Sequence, residues 1–181
     1  MATNINASQA RPAADAEPRG GRIGVAFDWG FGVQMAAVGL LTLAGVPNNG
    51  VTVPRLLGLL PLAGAAAAYA QGEALRRGNG LAWWVQVIGN SALTVAGIGS
   101  LAVLPRQLAA GHYGFLYTVV LLLVVSPLEV WLLTRPGSRR WYGSVNPDEA
   151  RARHSGAWMT GTVAWAVVCG LLQTAAGLGW I

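Results

Sequence analysis

The run from Phe115 to Arg140, FLYTVVLLLVVSPLEVWLLTRPGSRR, is the most apolar stretch of the chain and ends in a basic cluster. A helix of about 20 apolar residues, rising 1.5 Å per residue, matches a hydrocarbon core roughly 30 Å thick, so this stretch predicts a membrane-spanning helix. Glu129 lies inside it, just after Pro127 and before the first arginine of the cluster. A carboxylate within a span is costly unless it faces the bundle interior, finds a partner or holds a proton, and it therefore asks for an explanation.

The rest of the chain agrees with a membrane setting. Hydrophobic residues make up 54% and charged residues only 10%, leaving too little polar surface to coat a globule in water. All 12 basic residues are arginine, and the net charge is +5. These arginines sit between apolar runs instead of alternating with aromatics along a solvated face, which argues against nucleic acid as a partner. A single cysteine, Cys169, inside an apolar run rules out an internal disulfide, a CxxC pair and a Cys-based zinc site.

Residues 1–21, rich in Ala, Pro, Arg and Gly and without an apolar period, read as a disordered cytoplasmic tail. They lack the basic start, apolar core and cleavage site of a signal peptide. Residues 22–181 then form the membrane domain, with spans expected at about 23–46, 54–75, 81–104, 115–135 and 157–180. Pro47-Asn48-Asn49-Gly50 is a turn signal after the first span, and Pro54 suits the first turn of the second. Pro61 is expected to kink that second helix, whose alanine-rich middle, Ala63 to Ala68, is thin enough for close helix packing but only weakly lipophilic. Pro136 to Val145 reads as a loop. Asn146-Pro147-Asp148-Glu149 carries an N-cap, a proline at the first helical position and a glutamate placed for a capping box. The last helix is therefore expected to start in water at Pro147 and to break near Gly156 before crossing. The predicted fold is all-α, a bundle of five transmembrane helices.

Arginine counts by side set the expected orientation. With five spans, Arg55 and Arg106 fall on one side and the other ten on the opposite side, which the positive-inside rule makes cytoplasmic. This places the amino terminus inside and the carboxy terminus outside a bacterial-type inner (plasma) membrane.

Orientation in turn places three polar residues at one depth. Asp28, Gln86 and Glu129 each lie five or six residues from the cytoplasmic end of their spans, about 8–9 Å below the interface at 1.5 Å per residue. They are expected to form one intramembrane polar layer, loosened on one side by Pro127, which leaves the carbonyl of Leu123 unpaired. Two roles fit such a layer. Either Asp28 and Glu129 reach arginines such as Arg22, Arg76 or Arg135, or hydrogen-bond Gln86, and so lock the helices together, or they carry a proton or cation through a small transporter or channel.

Arg135, Arg139, Arg140, Arg151 and Arg153, with Trp141, form a basic inner surface suited to anionic lipid head groups or a partner. Gly32-xxx-Ala36 and Ala166-xxx-Gly170 are small-xxx-small steps that permit oligomers. No serine, metal or phosphate-loop motif is present, and His112 and His154 fall in loops on opposite sides, which argues against a haem held by this chain's own histidine pair. The sequence thus predicts a non-catalytic membrane protein without cofactor or metal. Its expected role is an accessory or structural subunit of a larger membrane complex or homo-oligomer, with a proton- or cation-coupled transporter using Asp28 and Glu129 as the alternative.

Overall fold

The computed structural model describes residues 19–47 and 50–181, with side chains from Gly20 onward; the expected disordered tail up to Pro18 and the turn residues Asn48 and Asn49 lie outside them. The described chain is all-helical, with four helices long and apolar enough to cross a membrane: Gly20–Ala44, Gly80–Ser100, Gly114–Thr134 and Ala157–Gly177. It is a multi-pass membrane protein. In chain order, α1 is Arg19–Ala44, α2 Leu59–Arg76, α3 Gly80–Ser100 and α4 Leu104–Ala109. The third crossing comprises α5 (Gly114–Val120), a π-helical turn (Leu121–Val125) and α6 (Ser126–Thr134). Then follow α7 (Pro136–Ser144), α8 (Pro147–Arg153) and α9 (Ala157–Gly177).

Of the five expected spans four qualify by length and apolarity, and the second is the exception, although it returns the chain from one end of the bundle to the other. A 3-10 turn at Arg55–Gly58 leads into α2, which is not among the four qualifying helices. Gln71, Glu73 and Arg76 near one end and the alanine run in the middle lower its apolarity, although it lies antiparallel along α1. Gly58 sits beside Gly39, Gly64 beside Met35, and Gly72 beside Asp28 and Trp29. Pro61 falls in the first turn of α2, just past the 3-10 to α junction, where its missing N–H breaks no helical bond.

Local chemistry explains where the helices stop. Gly45, with φ +83°, ends α1: Val46 N donates to Leu41 O at 2.9 Å and Gly45 N to Thr42 O at 2.9 Å, the paired bonds of a Schellman cap. Gly78, with φ +75°, ends α2 in the same way, and Asn79 at once caps α3 by accepting from Leu81 N and Ala82 N at 2.8 and 3.0 Å. Two helices therefore turn back on each other through a very short link.

Segment 136–145, expected as a loop, contains helix α7. Pro136 opens it at the first helical position, and Ser138, Trp141 and Tyr142 are buried on one side while Arg139 and Arg140 are exposed on the other. Its short length and interrupted pattern hid it. Asn146 caps α8 by accepting from Asp148 N at 2.9 Å, but Glu149 does not complete a capping box; its Oε1 meets Arg153 at 2.6 Å instead. Gly156, with φ +61°, separates α8 from α9.

Helix packing relies on small residues, as it must where lipid gives no hydrophobic drive between helices. Gly30 of α1 meets Ala166 of α9, and Gly170 lies against Gly30 O and Val33. Gly32 meets the Tyr69 ring of α2. Both small-xxx-small steps are thus engaged within the chain. Two sub-bundles result: α1 packs on α2 and α9, while α3 packs on α6 and the π turn. They meet through α1 and α6 at one end and through α5 and α9 at the other.

The first of these ends is arginine-rich, holding Arg22, Arg76, Arg77, the 135–140 cluster, Arg151 and Arg153; Arg55 and Arg106 lie toward the other. A core of Val25, Leu75, Trp83, Leu133, Trp141 and Tyr142 fills the arginine-rich end. Trp83 Nε1 donates to Leu133 O at 3.0 Å, tying α3 to α6. Arg76 reaches its NH1 to His154 O at 3.0 Å, and His154 Nδ1 returns a bond to Arg76 O at 2.7 Å, joining α2 to the end of α8.

Candidate functional site

Glu129 is brought inward by the helix that precedes it. Pro127 cannot donate an N–H, and the chain meets this with the π turn at Leu121–Val125, whose Leu121 O accepts from Ser126 Oγ at 3.2 Å. Past this turn Glu129 is fully buried. Its Oε1 accepts from Gln86 Nε2 of α3 at 2.8 Å, while Oε2 has no hydrogen-bond partner. The room comes from α1: a Cβ on Gly24 would lie 2.5 Å from Glu129 Oε1 and 2.7 Å from Leu75 Cδ2.

Asp28 lies one helical turn from Gly24, on the same side of α1, and its carboxylate faces the same Gln86 amide. Its Oδ2 is buried without a partner. Gln86 therefore stands between two carboxylates from different helices. Its own carbonyl accepts from Gln71 Nε2 of α2 at 3.3 Å, and Gln71 also donates to Ala82 O at 2.8 Å. Asn90, one turn beyond Gln86 on α3, donates from Nδ2 to Gln86 O at 3.1 Å, which leaves its buried Oδ1 unpartnered.

The arginines expected to meet these acids are engaged elsewhere. Arg76 forks onto Glu73, with Nε to Oε2 at 2.6 Å and NH2 to Oε1 at 2.9 Å. Arg135 lies over the Trp131 ring at 3.6 Å, and Arg22 over Trp158 at 5.8 Å. Among the described residues, neither Asp28 nor Glu129 takes part in a salt bridge.

A cavity of about 660 Å³ opens between α1 and α3, with Asp28, Gln71, Gln86 and Asn90 on its polar wall and Gln34 and Gln173 farther along. Phe27, Phe31, Leu93, Leu121 and Leu122 supply apolar wall. Glu129 lies behind Gln86. The sequence placed Asp28, Gln86 and Glu129 at one depth, and the structure brings them together. Gln71 and Gly24 were missed, yet Gln71 lies five residues from the end of α2 and obeys the same depth count.

On the basic surface, Arg135, Arg139, Arg140 and Arg151 are exposed and Arg153 is half-buried beside Glu149. Trp141 departs from its expected role in lipid or partner contact. It is buried, with its ring edge-on to Tyr142 at 4.7 Å and tilted against His154 at 5.6 Å, because α7 turns that face into the bundle. His154, expected in a loop, is buried and stacked on Trp158 at 4.5 Å. Among the described residues, no three His, Cys, Asp or Glu side chains gather as a metal site.

Comparison with family models, curated proteins and solved structures finds no match for this chain.

Proposed function

We propose that this membrane protein is a small, non-catalytic proton- or cation-coupled carrier whose exchange site is Asp28, Gln86 and Glu129. The observation that carries the reading is the pair of buried carboxylates that share one amide and, among the described residues, meet no arginine. Structural glue in a bundle normally satisfies its polar atoms. Here each acid keeps an oxygen without a partner, and Asp28 and Gln86 border a cavity. A carboxylate in that setting takes up a proton or a cation when it must be neutral, and releases it when an opening admits water. The π turn beside Glu129 is a place for the helix to change register, as such turns often are at functional sites. In this reading the arginine-rich end faces the cytoplasm of a bacterial-type cell, and its exposed arginines hold anionic lipid.

The test uses purified protein in sealed vesicles with a trapped pH dye. An imposed sodium or potassium gradient is expected to drive proton movement in the native protein, and the D28N/E129Q double variant to lose it. Full flux in the double variant would end the carrier reading.

A second reading, an accessory subunit that packs against a copy of itself or a larger complex, is favoured by one surface. Gly89, Ala92, Ala96 and Gly99 lie along one exposed side of α3, and nothing stands within 4 Å of a Cβ placed on Gly89 or Gly99. Mass measurement after gentle extraction separates the two, since a lone monomer removes this second role.

A further inference from the structure

The cavity beside the acid layer has a chemical bias. Every buried side-chain atom on its wall that lacks a partner is an acceptor: Asp28 Oδ2 and Asn90 Oδ1. Asn90 is only 2% exposed, and its orientation is settled by its own Nδ2, which is committed to Gln86 O. Gln86 has its amide turned to Glu129, and its carbonyl already accepts from Gln71. None of the described residues lining the cavity is basic, and the Gln34, Thr118 and Gln173 donors lie elsewhere on its wall. An occupant satisfies the Asp28 and Asn90 oxygens by bringing a donor and a positive charge to them.

Apart from Gln34, Gln71, Thr118 and Gln173, the remaining wall and the entrance are apolar. Phe27, Phe31, Leu93, Leu121 and Leu122 surround the space, and about 660 Å³ lies within the range of small-molecule sites. The entrance is lateral. Val85, Gly89, Ala92 and Ala96 on α3 and Phe31 on α1 both border the cavity and are exposed, at a depth where the surroundings are hydrocarbon. Asn90 lies at the middle of the 21-residue helix α3, so a polar wall open at this level faces the bilayer core.

We infer that this cleft binds a lipophilic amine: a molecule with an ammonium head that donates to Asp28 and Asn90 and an alkyl or aryl body that lies along α3 toward Ala96, entering sideways from the bilayer. The head brings the countercharge that none of the described arginines supplies. The body replaces lipid along an apolar wall. As the substrate class of the carrier the inference rests on the function proposed above, whereas binding itself does not require transport.

The test is photolabelling of the native protein in nanodiscs with a primary dodecylamine bearing a diazirine near its tail, with labelled residues mapped by peptide mass. Label is expected on Leu93, Ala96, Leu121 or Leu122, displaced by excess dodecylamine but not by dodecanoate. D28N and N90A are each expected to lower it at least roughly tenfold, the size of one lost hydrogen bond to a charged group. Elution as a single folded species shows that a variant still folds, and N90A serves if D28N does not.

Label spread evenly over the lipid-facing side chains, equal displacement by dodecanoate, or indifference to both variants would overturn the site. A second copy's helix seated in the cleft would do so too; it would appear as a disulfide between copies of A92C in a C169A background, with no label. Specific labelling in a protein without proton flux would retain the amine site and remove the coupling. Flux without specific labelling would remove the amine site and retain the carrier.

Discussion

Gly24 is small because Glu129 needs the room. A methyl group there would meet Glu129 Oε1 at 2.5 Å and Leu75 at 2.7 Å, so Gly24→Ala must push α1 from α6 or turn the carboxylate from Gln86. Overpacking of this kind costs about 1–3 kcal/mol, and thermal unfolding in detergent is expected to show it. In an E129A background a good part of that penalty is expected to vanish, since one of the two obstacles is gone. Glu129 itself separates hydrogen bonding from charge. E129Q keeps an oxygen for Gln86 Nε2 and is expected to unfold close to the native temperature, whereas E129L strands a buried N–H and costs about 1–3 kcal/mol in the same measurement. At this scale the sequence was most informative where charge met apolarity. Asp28 and Glu129 stood out against their runs, and depth counting added Gln86. Gln71 escaped because it lies in an alanine-rich helix that reads as packing, and Gly24 because a glycine's neighbour is invisible before the helices are placed. Trp141 escaped for the opposite reason: a tryptophan beside arginines looks interfacial until the helix that carries it is known to turn inward.

Elements were legible in proportion to their length. The four long apolar helices declare themselves, and their observed ends at Ala44, Ser100, Thr134 and Gly177 lie within a few residues of the expected ones. Helix α7 was missed because nine residues carry too few turns for a period to show. Helix α2 has sound flanking turns and runs back along α1, while its own polar end and alanines keep it below the apolarity of the other four. Proline 127 marked a weak point, but the form it takes, a wide turn one step earlier, depends on which carbonyls find partners. Pro127→Ala restores the missing N–H and favours continuous α-helix, which would rotate the 114–120 segment relative to Glu129 by about 100° per residue removed from the turn. The Q86A/E129A double-mutant cycle is expected to show a coupling of about 0.5–2 kcal/mol with Pro127 present, and a smaller one with Pro127→Ala. An unchanged coupling would mean the π turn has no part in aiming the carboxylate.

For the whole molecule, the all-helical membrane architecture follows from composition and hydropathy, whereas pairing of the helices does not. Nothing in the order of apolar runs announces that α1 lies between α2 and α9, because that choice is made by glycines meeting across helices. The division of arginines between two ends does follow from the sequence, and it yields a prediction about sides. A reporter inserted at Asn79 is expected inside and one fused after Ile181 outside. Cytoplasmic exposure of both would mean that the positive-inside assignment fails for this bundle.

The way α1 is enclosed also sets an order in time. During synthesis α1 and α2 leave the ribosome together and can pair as a hairpin, but the face of α1 around Gly30 has no partner until α9 is made. The bond between Arg76 and His154 likewise spans 78 residues and waits for α8. The Gly30 side of α1 is thus covered only once α9 is made, and a nascent chain halted before α9 carries an open groove there. Cellular quality control has that groove to recognise, and the finished protein does not.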